Sequence, residues 1–202
     1  MQYLVGTSAY IAAMQKIRVP LLLLCGAPGT GKSSVAWEVY WRLMREGMPV
    51  AHVDLDGIGF GPSGHSGSFD LKFKNVAAVW RSYSDIGASA FVVSGLRAVQ
   101  EDVAACSAAV PGSAPTVVVL TVTAEEQRNR ILTRANTLYA AERGGGSSVQ
   151  TAEGLEQFVA AAQRQNEDET GDITDAVVLD TVGVPVVEIA RQLLAATGWP
   201  NR

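Results

Sequence analysis

The octet Gly26-Ala27-Pro28-Gly29-Thr30-Gly31-Lys32-Ser33 has the residue types and spacing of a phosphate cradle, G-x-x-x-x-G-K-S. Glycines let the backbone wrap with its N–H groups pointing inward, toward phosphate oxygens. A helix opening near Lys32 adds the positive end of its dipole, worth roughly half a charge. Lys32 is long enough to reach β and γ phosphates, and the Ser33 hydroxyl can ligate Mg²⁺. The dinucleotide fingerprint G-x-G-x-x-G does not fit, because Lys32 and the serines stand where its third glycine belongs. The octet therefore predicts a nucleoside triphosphate site built from Gly26, Ala27, Pro28, Gly29, Thr30, Gly31, Lys32, Ser33 and Ser34.

Such a loop works only if a strand delivers it and a helix receives it, and the chain supplies both. Five short apolar runs recur at Pro20–Cys25, Val50–Asp54, Ala90–Ser94, Thr116–Thr123 and Ala176–Asp180. Val35, Val39 and Leu43 repeat at four-residue spacing before Gly47 and Pro49, a helix with its stop signals. Val76, Val79, Trp80 and Tyr83 form a second stripe, opened by Asp70 and closed by Gly87. Thr123 and Glu126 fit a capping box ahead of a third helix, and Pro185 starts a last one that Gly198 ends. Strands that are apolar throughout, alternating with helices, predict a parallel sheet covered on both faces. Two glycine- and serine-rich stretches, Gly57–Ser68 and Glu142–Thr151, read as loops.

Composition narrows the class. The 202 residues, 48% apolar and 18% charged, suit one domain spanning 1–202, with no internal repeat. A net charge of −4 argues against nucleic acid as a partner. The first 24 residues lack a basic leader, and Lys16, Arg18 and Pro20 break their apolar runs, so neither signal peptide nor membrane span is expected. The two cysteines, Cys25 and Cys106, read as buried free thiols, and a cytoplasmic location follows.

A regulatory GTPase needs an Asn-Lys-x-Asp motif, which is missing, and an AAA ATPase needs an acid where Ser94 stands, plus a further domain. From Pro20 to Leu194 the layout instead resembles the small P-loop kinases: the nucleoside monophosphate kinases and, more closely, the shikimate, gluconate and adenylyl-sulfate kinases. The resemblance implies an α/β, three-layer P-loop NTPase fold, with a five-stranded parallel sheet in the order 2-3-1-4-5 and helices on both faces. It also implies ATP and Mg²⁺ as cofactors, a flexible lid near 134–151, and an acceptor region near 57–86.

Residue by residue, Asp54 and Asp56 are similar to the Asp-x-Asp of shikimate kinase, which assigns Asp54 to the metal with Ser33 and Asp56 to the acceptor hydroxyl. That hydroxyl must lose a proton as it attacks phosphorus. Gly95 and Arg97 resemble the acceptor grip of monophosphate kinases. Arg128, Arg130, Arg134 and Arg143 look like lid arginines, Arg134 for the lid or for adenine and Arg143 for phosphate, with at least one of the four dispensable. The Asp180-Thr181-Val182 turn, running to Val184, is similar to the adenine-lining turn of these kinases. On the acceptor side lie His65, Lys72, Lys74, Trp80, Arg81 and Tyr83, of which Arg81 joins Asp56 and Arg97 as a substrate contact and Trp80 and Tyr83 read first as core. The implied partner is a small-molecule acceptor bearing a hydroxyl or phosphate, on a monomer or homodimer without a membrane. Hydrolysis without an acceptor, ATP binding without turnover, and toxin-like kinases of sugar nucleotides remain as alternatives.

Overall fold

The computed structural model describes residues 18–59, 69–141, 151–168 and 173–200. In chain order they form β1 (Val19–Cys25), α1 (Lys32–Arg45), β2 (Val50–Asp54), α2 (Leu55–Ile58), α3 (Phe69–Asp85), β3 (Ala90–Leu96), α4 (Gln100–Ala109), β4 (Ser113–Thr121), α5 (Ala124–Ala141), α6 (Ala152–Asp168), β5 (Val177–Asp180) and α7 (Val186–Thr197). The strands pair in parallel in the expected order, β2-β3-β1-β4-β5.

Strand alternation splits the core into two layers. Leu21, Leu23 and Cys25 of β1 point toward α3 and α4, where they meet Phe73, Val76, Trp80, Val103 and Cys106. Leu22 and Leu24 point the other way, onto Val35, Val39 and Leu43 of α1 and Ile189 and Leu193 of α7. A central parallel strand covered on both faces has no solvent side, which is why β1 reads as an unbroken apolar run. Its four leucines are wholly buried, each contributing about 1.5–3 kcal/mol relative to exposure. Trp80 is core as expected, stacked on Phe91 with ring centres 5.2 Å apart.

The departures are local. β4 ends at Thr121 because Thr123 serves as a cap: its Oγ1 accepts from Glu126 N at 3.4 Å and its carbonyl from Gln127 N at 2.9 Å. Only half the capping box forms, since the Glu126 carboxylate turns to Arg130 at 2.9 Å. Pro185 sits one residue before α7 rather than at its first turn. Helices α4 and α6 go beyond the apolar pattern, which is thin there: α6 buries only Val159 and Ala162. The expected lid falls on the end of α5 and on 142–150, the latter outside the described residues, as are 60–68 of the acceptor region. Among the described residues no helix is long and apolar enough to cross a membrane, and Cys25 and Cys106 are buried free thiols.

Candidate active site

The octet is folded as a loop at the carboxyl end of β1. Gly26 leaves the strand at φ 134°, where a Cβ would sit 2.5 Å from the Leu120 carbonyl oxygen of the neighbouring β4. Only glycine allows that close a passage. Thr30 closes the turn, its hydroxyl donating to Ala27 O at 2.9 Å. The first-turn N–H groups of Ser33 and Ser34 find no carbonyl partner among the described residues, as expected at a helix start that holds an anion. Lys32 is 9% exposed, and its Nζ donates to Gly26 O at 2.7 Å and Ala27 O at 2.9 Å. The ammonium therefore lies inside the loop. Pro28, Gly29, Gly31, Lys32, Ser33 and Ser34 line one wall of a cavity of about 720 Å³.

A second wall comes from the edge of the sheet. Asp54 ends β2 in register with Ser94 of β3, and its Oδ1 accepts from Asp56 N at 3.0 Å, capping the single turn of α2. Asp56 itself lines the cavity with Leu55, Gly59 and Lys72. Lys72 reaches it from α3, whose Asn75 is tied to Ile58 O at 2.7 Å. Gly95 makes this turn possible: at φ 85° its Cβ would lie 2.9 Å from Asp54 Oδ1 and 3.2 Å from Asp56 N. Arg97 is held elsewhere. Its Nη2 pairs with Asp102 Oδ1 at 2.6 Å while its main-chain N donates to Oδ2, and neither Arg97 nor the exposed Arg81 lines the cavity.

The third wall is the α5–α6 pair. Arg130, Ile131, Arg134 and Ala135 line it from α5, Leu155 and Phe158 from α6. Arg130 and Arg134 thus share a face, as one helical turn requires. Arg130 is committed within the protein: its guanidinium donates to Thr181 Oγ1 at 2.8 Å and Thr181 O at 2.7 Å, besides its bond to Glu126. Thr181 is buried and bonded to Thr121 O at 3.0 Å. It touches the site through Arg130, and neither it nor Val182 lines the cavity. Arg134 has no ion pair among the described residues. Arg128 points away and pairs with Glu156 on the surface. His65 and Arg143 lie outside the described residues.

Gln127 is the residue that pattern reading misses. It is fully buried, and its Nε2 donates both to Pro28 O of the loop at 2.7 Å and to Ala162 O of α6 at 3.0 Å. Two carbonyl partners demand an amide NH₂, so the orientation is chemically unambiguous. The Gln127 Oε1 is left without a partner. A glutamine among charged neighbours on a helix offers no signal in sequence, whereas Leu155 and Phe158 sit on a helix the pattern did not reveal.

No family model matches the chain, and no curated protein matches it by sequence. Solved structures do. The gluconokinase of Sinorhizobium meliloti is 19% identical, with 91% of this chain and 94% of that one superposed at a TM-score of 0.57. The APS kinase of Mycobacterium tuberculosis, solved with AMPPNP and APS, is 20% identical over 88% and 96%, at 0.56. Shikimate kinase of Acinetobacter baumannii, in complex with shikimate, is 17% identical over 91% and 96%, at 0.53. With its sheet order, its loop and its covering helices, the chain has the fold of the P-loop small-molecule kinases.

Proposed function

We propose that this protein is an ATP- and Mg²⁺-dependent kinase that moves the γ-phosphate to a hydroxyl or phosphate of a small acceptor. One observation carries the reading: the phosphate loop, Asp56 and Lys72 line a single cavity. Loop amides and Lys32 hold the β and γ phosphates, and Arg134 adds charge from the α5 side. Asp56 accepts the acceptor's proton as its oxygen bonds to the γ-phosphorus. The bond from that phosphorus to the β–γ bridging oxygen breaks, and ADP leaves. Arg143 is proposed to add a further positive charge to the transferring phosphates.

The donor set suits magnesium. Among the described residues no group of three or more His, Cys, Asp or Glu could cage a metal alone. Mg²⁺ prefers one or two protein oxygens and completes its shell with phosphate and water. The Ser33 hydroxyl and the Asp54 carboxylate, one of whose oxygens is used by the Asp56 cap, would hold it. When bound, the cation neutralises the β and γ oxygens. We place the enzyme in the cytoplasm, where free thiols such as Cys25 and Cys106 are ordinary.

The experiment is ATP consumption against a panel of sugars, nucleosides, nucleotides and antibiotics, with products read by phosphorus NMR. ADP should form only with acceptor, matched by a phosphorylated product. Lys32→Ala should abolish transfer and weaken ATP binding. Asp56→Asn should slow transfer by about 100-fold or more while leaving ATP affinity intact. Acceptor-independent phosphate release would make the protein an ATPase instead, and binding without turnover would make it a nucleotide-binding module.

A further inference from the structure

We propose that a second copy of this chain docks on the β2 edge, giving a two-fold dimer in which the β2 strands run side by side and the α1 faces meet. The inference is independent of the kinase reading. β2 is the outermost strand, and its register with β3 is unbroken from Val50 to Asp54. Its other row of N–H and C=O groups has no strand partner among the described residues. Natural edges are blunted by proline, charged side chains, shortness or a bulge. Val-Ala-His-Val-Asp has no proline, lysine or bulge, and its one charge, Asp54, stands at the end of the strand.

Apolar side chains flank that edge on both faces of the sheet. Trp37 and Trp41 of α1 are each 49% exposed and Met44 39%, while Tyr83 at the end of α3 is 36% and Ile86 just beyond it 80% exposed. Five of the ten large exposed apolar side chains among the described residues therefore border one edge, which makes a patch rather than scatter. Together they offer about 500 Å² of apolar surface. A stable interface buries roughly 800 Å² per partner, with a polar rim. The strand edge itself, with its outward main-chain groups, supplies a polar remainder of that kind.

Shape selects a second copy over another occupant. A groove of about 310 Å³ is walled by Trp37, Tyr40 and Tyr83 over His52, with Ile86 at its lip. Protruding Ile86 and Trp41 stand beside it, so one patch holds both knob and hole. A two-fold interface requires that arrangement, because each copy must offer what the other receives. Antiparallel pairing centred on His52 sets Ala51 opposite Val53 and Val50 opposite Asp54. No like charges face each other across the pair.

Sedimentation velocity of the full chain from about 1 to 100 μM tests this. The expected result is a monomer–dimer equilibrium obeying mass action. Ile86→Arg and Trp41→Arg should each weaken it by about 100-fold or more, with circular dichroism unchanged. Val187→Arg, on the exposed face of α7 away from the edge, should leave it alone. A monomer at every concentration, whatever else covers the face, overturns the proposal. So does a dimer that both arginine variants leave intact.

Discussion

Replacing Gln127 with leucine tests whether one buried amide sets the phosphate loop against the α5–α6 wall. Leucine is close in volume, so packing around Gly29 and Ile131 changes little. Two hydrogen bonds vanish, to Pro28 O and Ala162 O. Each contributes about 1 kcal/mol net, and the Pro28 carbonyl, left unpaired in the loop, costs about 1–3 kcal/mol more, whereas Ala162 O stays within the hydrogen-bonded run of α6. Loss of the unpartnered Oε1 offsets part of this. The balance is a destabilisation of about 3 kcal/mol, or roughly 10 °C in melting temperature for a chain of this size. Urea unfolding followed by circular dichroism reads the first quantity, and a thermal scan the second. Because Pro28 belongs to the loop, ATP binding by calorimetry should weaken about 10-fold, the equivalent of roughly 1.4 kcal/mol. Gln127→Glu sharpens the test. A carboxyl pressed against two carbonyls has a folded-state pKa raised above its unfolded value of about 4.3. Its contribution is intact below that pH and lost as pH rises through the folded value, so this variant should be least stable in alkali. A Gln127→Leu protein within about 0.5 kcal/mol of wild type, with unchanged ATP affinity, would refute the reasoning.

Other consequences are as specific. Gly26→Ala forces a Cβ to within 2.5 Å of the Leu120 oxygen at φ 134° and should cost about 3 kcal/mol or more, with ATP binding lost; a stable, ATP-binding Gly26→Ala protein would contradict the loop's geometry. Burial holds the His52 imidazole below its ordinary pKa of 6.5, with Asp54 opposing the shift. As pH falls below 6.5 the unfolded chain takes up a proton that the native one refuses, so stability drops there; His52→Gln should flatten that slope in unfolding curves taken between pH 7 and 5. Burial and the Asp102 charge push the Cys106 thiol up to about 12, and Cys25 is wholly buried, so neither cysteine should react with a disulfide reagent until denaturant is added; rapid labelling of the native protein would be the contrary result.

The parallel sheet was legible because its strands are apolar throughout. Pro20–Cys25 carries that pattern whether or not the neighbours are known. Helices α1 and α3 announced themselves by stripes, and α1 by its stops, but α6 did not, since a helix built on alanine shows little apolar contrast. At Arg97 a sequence shows that an arginine follows a strand, not that Asp102 five residues on will pair with it. Thr181 likewise stood in the anticipated turn, yet its hydroxyl faces Arg130 and Thr121 rather than the cavity.

By itself, then, the order of residues determined the phosphate loop, the parallel α/β layout and the acidic end of β2, because each depends on chain-local chemistry: glycine dihedrals, helix starts, runs of apolar side chains. Contacts between distant segments were decided only on folding. That Lys72 and Asp56 share a cavity, that Gln127 spans 99 residues to hold Pro28, and that five apolar side chains gather at one sheet edge follow from strand order and helix packing. Nothing in the local pattern encodes which distant backbone carbonyl or side chain will lie within reach.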